Sequence, residues 1–170
     1  SMAAAVVYSS IFGAGLASLR SLHTEMVVFD TAVVDLTAEL RDPVDLLFAT
    51  QLGGGTDINR ALAYCQTRIR RPNETILVLI SDLFEGGDAQ ELLRRVRAIK
   101  GSGVQMVAML ALNDKGAPSY HKAHAEVFAV LGVPAFACTP DAFPELMAAA
   151  IMRRDLTAWV AANIERTLEK

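Results

Sequence analysis

Ile76-Leu77-Val78-Leu79-Ile80-Ser81-Asp82 decides the fold of this 170-residue chain. A continuous Val/Ile/Leu run lacks the alternation of a half-solvated strand. It reads as a strand buried on both faces of a parallel sheet. The run ends in a hydroxyl and an acid, and Gly86-Gly87 follow closely. In open α/β sheets the carboxyl ends of the strands form the rim where ligands bind, which places Asp82 there. Upstream, Gly53-Gly54-Gly55-Thr56-Asp57 opens a helical pattern. If both loops reach one rim, a hydroxyl and a carboxylate converge, and hard divalent cations prefer such oxygen ligands.

On either side of this run, strand-like and helix-like patterns alternate. Residues 3–22 read as a helix with Val6, Val7, Ile11, Leu16 and Leu19 inward. Thr24–Phe29 and Ala32–Leu36 are β-branched runs around Asp30-Thr31, the pattern of a hairpin. Asp57–Arg70 carries Ile58, Ala61, Leu62, Cys65 and Ile69 at helical spacing. Asp88 to Glu91 has the form of a capping box, in which Glu91 reaches back. That helix runs to Gly101-Ser102-Gly103, a stop signal. Val104–Leu112 is a second buried strand, Ser119–Leu131 a helix and Ala135–Cys138 a short strand. Asp141–Lys170 reads as one helix with Pro144 in its first turn. Strands alternating with helices imply a parallel-dominated α/β sheet with helices on both faces. Residues 1–170 are expected to form a single domain, with 156–170 a carboxyl-terminal extension if any part lies outside it.

Composition narrows the function classes. The chain is 52% hydrophobic and 21% charged, which fits a globular domain with a sizeable core. A net charge of −3 and the lack of a basic stripe disfavour nucleic-acid binding. Two cysteines, Cys65 and Cys138, make no disulfide framework and suit buried thiols in a reducing compartment, so a cytoplasmic protein is expected. Residues 1–19 carry no charged side chain, yet Ser9, Ser10, Gly13, Gly15 and Ser18 interrupt the run. A bilayer span needs about 20 predominantly apolar residues, so a packed helix is the better reading.

The two polar loops together, Gly53-Gly54-Gly55-Thr56-Asp57 before a helix and Leu79-Ile80-Ser81-Asp82-Leu83-Phe84-Glu85-Gly86-Gly87 after a strand, resemble the von Willebrand factor A-type (VWA) domain, and most of all its bacterial CoxE-like branch. The resemblance covers roughly residues 1–155. It implies a three-layer Rossmann-like sheet and a metal-ion-dependent adhesion site holding Mg²⁺ or Mn²⁺. Such a site is built from an Asp-x-Ser-x-Ser loop, a Thr and an Asp. Thr56 matches the Thr and Asp82 the Asp. Ser1 in Ser1-Met2 stands where the last serine of the first loop would fall, or it is the remnant of a tag before a start methionine. The leading Asp and first Ser have no counterpart, so weak or absent metal binding is expected of this chain. The family's first strand, central in its sheet, is missing too. Either strands 24–29 and 75–81 then pair directly, or the exposed edge recruits a second copy. The resemblance implies a protein-interaction module that grips a partner carboxylate through the ion. Members often accompany MoxR-type AAA+ ATPases, which points to assembly of protein complexes or metal centres.

Each singled-out residue has a plainer reading. Asp82 would cap a neighbouring turn, and Thr56 would cap the following helix. Asp57 suits a first-turn acid near the helix dipole. Ser81 and Glu85 lie near the rim. His121 and His124 lack a third ligand for zinc and suit a solvated helix face. Arg68, Arg70 and Arg71 suit a helix carboxyl end, and Arg94, Arg95 and Arg97 a solvated face. No nucleophile elbow, Walker or dinucleotide motif is present. The alternatives to an ion-dependent module are a metal-free interaction domain and a Mg²⁺-dependent phosphate-ester hydrolase built on Asp82. The chain is expected not to be an enzyme.

Overall fold

A computed structural model describes residues 22–41, 55–110, 120–137 and 143–168, with the backbone alone for 41 and 164–168. The expected helix over 3–22, Ser1, Gly53-Gly54 and Cys138 lie outside the described residues, save Leu22.

The hairpin forms as its sequence implies. β1 (Val27–Phe29) pairs antiparallel with β2 (Val33–Asp35), Val28 opposite Val34. Asp30 Oδ1 accepts the Ala32 amide at 2.6 Å, the local bond that lets aspartate turn a chain. A 3₁₀ helix, Thr37–Arg41, follows.

α1 (Ile58–Arg68) leads through a 3₁₀ turn, Pro72–Glu74, into β3 (Ile76–Ser81). α2 (Ala89–Gly101) crosses to β4 (Gln105–Leu110), and α3 (Lys122–Val130) to β5 (Ala135–Phe136). β3, β4 and β5 are parallel and lie in that order, Val78 opposite Val107 and Met109 opposite Phe136. Parallel neighbours joined by helical crossovers are the arrangement the alternating pattern calls for.

The period-2 geometry of β4 divides the core. Met106, Ala108 and Leu110 face Ile58, Leu62, Leu92, Val96, Ile99 and Phe128 of α1, α2 and α3. Val107 and Met109 face the opposite way, onto Phe143, Leu146, Met147 and Ala150 of α4 (Phe143–Ile151) and Leu156 and Val160 of α5 (Leu156–Leu168). Helices therefore cover both faces of the sheet, and the chain has the expected three-layer α/β architecture.

Three expectations change. The helix foreseen over 141–170 is broken at Met152–Asp155, where Arg153 turns left-handed (φ 55°). Asp155 then restarts it, its carboxylate accepting the Thr157 and Ala158 amides at 2.9 and 3.1 Å. Leu156 and Val160 are buried in the core, so α5 begins within the packed body. Glu91 does not reach back across a capping box. Asp88 caps α2 alone through the Gln90 and Glu91 amides, and Glu91 pairs with Arg94.

The third change concerns the sheet. Strands 24–29 and 75–81 do not pair directly: among the described residues β1 bonds β2 only, and β3 bonds β4 only. α1 joins the two sheets instead. Phe29 packs on the cluster that holds Ile58, Leu62 and Leu79. Arg60 Nη1 donates to the Thr31 carbonyl at 2.8 Å, Tyr64 Oη to Asp35 Oδ2 at 2.7 Å and Arg68 Nε to Glu25 Oε2 at 2.9 Å. These residues recur every four positions, one polar stripe along α1. β3 shows the consequence. Its Ile76, Leu77, Val78 and Ile80 are only half-buried, whereas β4 is buried from Met106 to Leu110.

Candidate functional site

The rim is built by the turn after β3. Ser81 is buried, Asp82 half-buried, Leu83 fully buried and Phe84 48% exposed. Leu83 holds the left-handed conformation at φ 61°, a rare geometry for a bulky side chain. Such strain persists only where the surroundings over-determine it. Here they do. Ser81 Oγ accepts the Leu83 amide at 3.0 Å, and Asp82 Oδ1 accepts the Phe84 amide at 3.2 Å. Glu85 Oε1 accepts the Gly87 amide at 2.6 Å. The Leu83 carbonyl accepts from His124 Nδ1 at 2.9 Å, and the Asp82 carbonyl accepts the His121 amide at 2.9 Å.

The Thr56 loop meets this turn directly. The Gly86 amide donates to the Thr56 carbonyl at 2.6 Å. Glu85 Oε2 accepts the Asn59 amide in the first turn of α1 at 3.0 Å, so one carboxylate ties both loops. The Asp57 amide donates to the Asp30 carbonyl at 2.8 Å, which brings in the end of β1. A Cβ on Gly86 would lie 2.6 Å from the Thr56 carbonyl oxygen, so only glycine permits this approach.

The structure thus brings the loops of Thr56 and Asp82 to one rim; Ser1 lies outside the described residues. Asp57, not Thr56, caps α1, its Oδ1 accepting the Arg60 amide at 2.8 Å. That leaves Thr56 without the helix-capping duty of the plainer reading. Asp82 spends one oxygen on its own turn. Four other residues depart from the sequence reading or go beyond it. Arg95 does not stand on a solvated face but donates to Asn59 and Gln66 of α1, each at 2.7 Å. His121 and His124 are half-buried and stacked, with ring centroids 3.9 Å apart, beside the turn. Glu85 is the tie between loops, a role no motif announces because the Asn59 amide it accepts lies 26 residues away in sequence.

Thr56 and Asp82 offer hydroxyl and carboxylate oxygens, the donor kind that suits a hard cation. The number falls short: among the described residues no group of three or more His, Cys, Asp or Glu could hold a metal ion. Farther along α1, burial pushes the Cys65 thiol up to about 11, which makes it a poor nucleophile.

Parallel strands, two-sided helices and a rim of converging loops define a Rossmann-like α/β domain. A crystal structure of an aerotolerance-related membrane protein from Bacteroides fragilis NCTC 9343, with multiple mutations to serines, superposes with a TM-score of 0.55 at 14% identity, covering 91% of this chain and 87% of that one. The family model for VWA domain containing CoxE-like protein matches residues 1–147, and the chain belongs to that family. The uncharacterized protein YehP of Escherichia coli (strain K12) is 34% identical over 165 residues, 97% of this chain. The chain spans 40% of the length of that relative. Among the described residues no helix is long and apolar enough to cross a membrane.

Proposed function

We propose that the chain is a non-catalytic VWA-type binding module in which Thr56 and Asp82 supply two ligands of a Mg²⁺ or Mn²⁺ site that a further loop of the intact parent completes, and that the ion there takes a carboxylate from a protein partner. The approach of the two loops supports this reading most: the 2.6 Å bond from Gly86 to Thr56 draws a hydroxyl-bearing loop against an acid-bearing turn. When bound, the ion supplies net positive charge that an incoming Asp or Glu would satisfy. The chain's own part is orientation. The turn is fixed before any ligand arrives, which limits the ordering cost of binding. The family resemblance suggests a MoxR-type AAA+ ATPase as partner, in assembly of a protein complex or metal centre within the cytoplasm. The half-buried β3 favours a second proposal about assembly: its edge pairs with a further strand, either from upstream residues or from a second copy.

The experiment is a Mn²⁺ titration by calorimetry of the 170-residue chain, of a chain extended upstream by about 15 residues (a strand and its loop) and of Asp82→Ala in each. Binding that strengthens with the extension and disappears in Asp82→Ala supports the module. Heat unchanged by Asp82→Ala refutes it and favours the metal-free reading, which the bond from Phe84 to Asp82 Oδ1 already supports. Turnover of a phosphate ester would favour the hydrolase.

A further inference from the structure

We infer that His124 is a positioning residue of the Asp82 rim, holding the strained Leu83 peptide so that the acid faces outward. The inference concerns the turn itself; only its effect on ion binding rests on the proposed function. A carbonyl oxygen can only accept, so His124 Nδ1, 2.9 Å from the Leu83 carbonyl, must carry the proton. The neighbouring histidine is fixed the other way. His121 Nδ1 accepts the His124 amide at 3.2 Å as the N-cap of α3, so its own proton sits on Nε2. Opposite tautomers thus stand in one stacked pair, each set by a bond to backbone.

The left-handed Leu83 explains why such a brace is needed. Ser81 Oγ holds its amide and His124 its carbonyl, one clamp on each side of the strained residue. Without the second clamp the peptide between Leu83 and Phe84 can rotate. That would loosen the Phe84 amide on Asp82 Oδ1 and turn Phe84 away from the His121 ring, which it meets in a T-shaped pair at 5.5 Å and 83°. The spacing of the two histidines, three apart at the start of α3, lets one cap the helix while the other reaches the turn. This assigns the His-x-x-His sequence a role that needs no metal.

The test compares His124→Asn, whose amide nitrogen can replace Nδ1–H as donor, with His124→Phe, which keeps a ring of similar size and has no donor. Long-range ¹H–¹⁵N spectra of the wild-type chain should show the proton of His124 on Nδ1 and that of His121 on Nε2. Amide exchange at Phe84 and Gly86 should quicken about tenfold in His124→Phe, the loss expected for one hydrogen bond, and recover in His124→Asn. Mn²⁺ affinity should follow the same order while the exchange of β4 stays fixed. A bare Nδ1 on His124 overturns the inference, as does His124→Phe with wild-type exchange at Phe84. If the wild-type chain, with or without its extension, binds no Mn²⁺, the ion-site reading fails, and the brace is decided by the tautomers and the exchange rates.

Discussion

Replacing Gly86 with alanine isolates the contact on which the rim depends. The added Cβ would fall 2.6 Å from the Thr56 carbonyl oxygen, whereas ordinary van der Waals contact begins near 3.4 Å. The two loops must therefore part by roughly 0.8 Å, well up the repulsive wall between atoms. Backbone lies on the far side, so no rotamer change relieves the clash. Overpacking of this kind costs about 1–3 kcal/mol. In a chain of this size each kcal/mol lowers the melting temperature by about 2–4 °C, so a fall of about 2–12 °C is expected. Glu85 bridges the same loops through the Asn59 and Gly87 amides, so the displacement should also loosen those bonds. Ion affinity, if present, should fall about tenfold or more. Gly101→Ala is the control. Its Cβ would meet nothing within 4 Å, and alanine is favoured over glycine in a helix by about 0.5–1 kcal/mol. Scanning calorimetry with Mn²⁺ titration reads both. Gly86→Ala melting and binding as the wild type does would refute the argument that the two loops share one rim.

Three further outcomes follow from α1 and its stripe. Tyr64→Phe removes the bond to Asp35 and should lower the midpoint of denaturant unfolding. The Arg68 guanidinium holds the Glu25 carboxyl below its ordinary 4.5, and the bond from Thr37 holds Asp35 below 3.8. Depressed carboxyls stabilise the folded chain above those values, so hairpin anchoring should be full near neutral pH and decline as pH falls below about 4. A melting series from pH 7 to pH 3 that shows no such decline refutes this. Cys65, pushed up to about 11, should react with iodoacetamide at pH 8 far more slowly than a free thiol, and Cys138→Ser separates its signal.

The parts of this fold that the sequence disclosed are those governed by short-range rules. The Ile76–Ile80 run, the Asp30-Thr31 turn and the Asp88 cap each depend on residues within a few positions, and each appears where the pattern put it. The break in the last helix was legible in principle, since Asp155 ahead of Thr157 is an N-cap signal. It was masked by an apolar spacing that continues across the break. Half of the rim could be read: Thr56 and Asp82 announced themselves by glycine-rich neighbours. Glu85, Arg95 and His124 could not, because each acts on a group between 26 and 41 residues away. Only the folded chain creates those neighbours.

The stripe along α1 carries a mechanical consequence. Among the described residues no backbone ladder ties the hairpin to the larger sheet, and the ties between them are side-chain bonds, the packing of Phe29 and the Asp57–Asp30 bond. A union of that kind yields before the strands it joins. Under heat or pulling, the hairpin should swing away as a discrete leaf, exchanging its amides at lower cost than β4, while the rest stays whole.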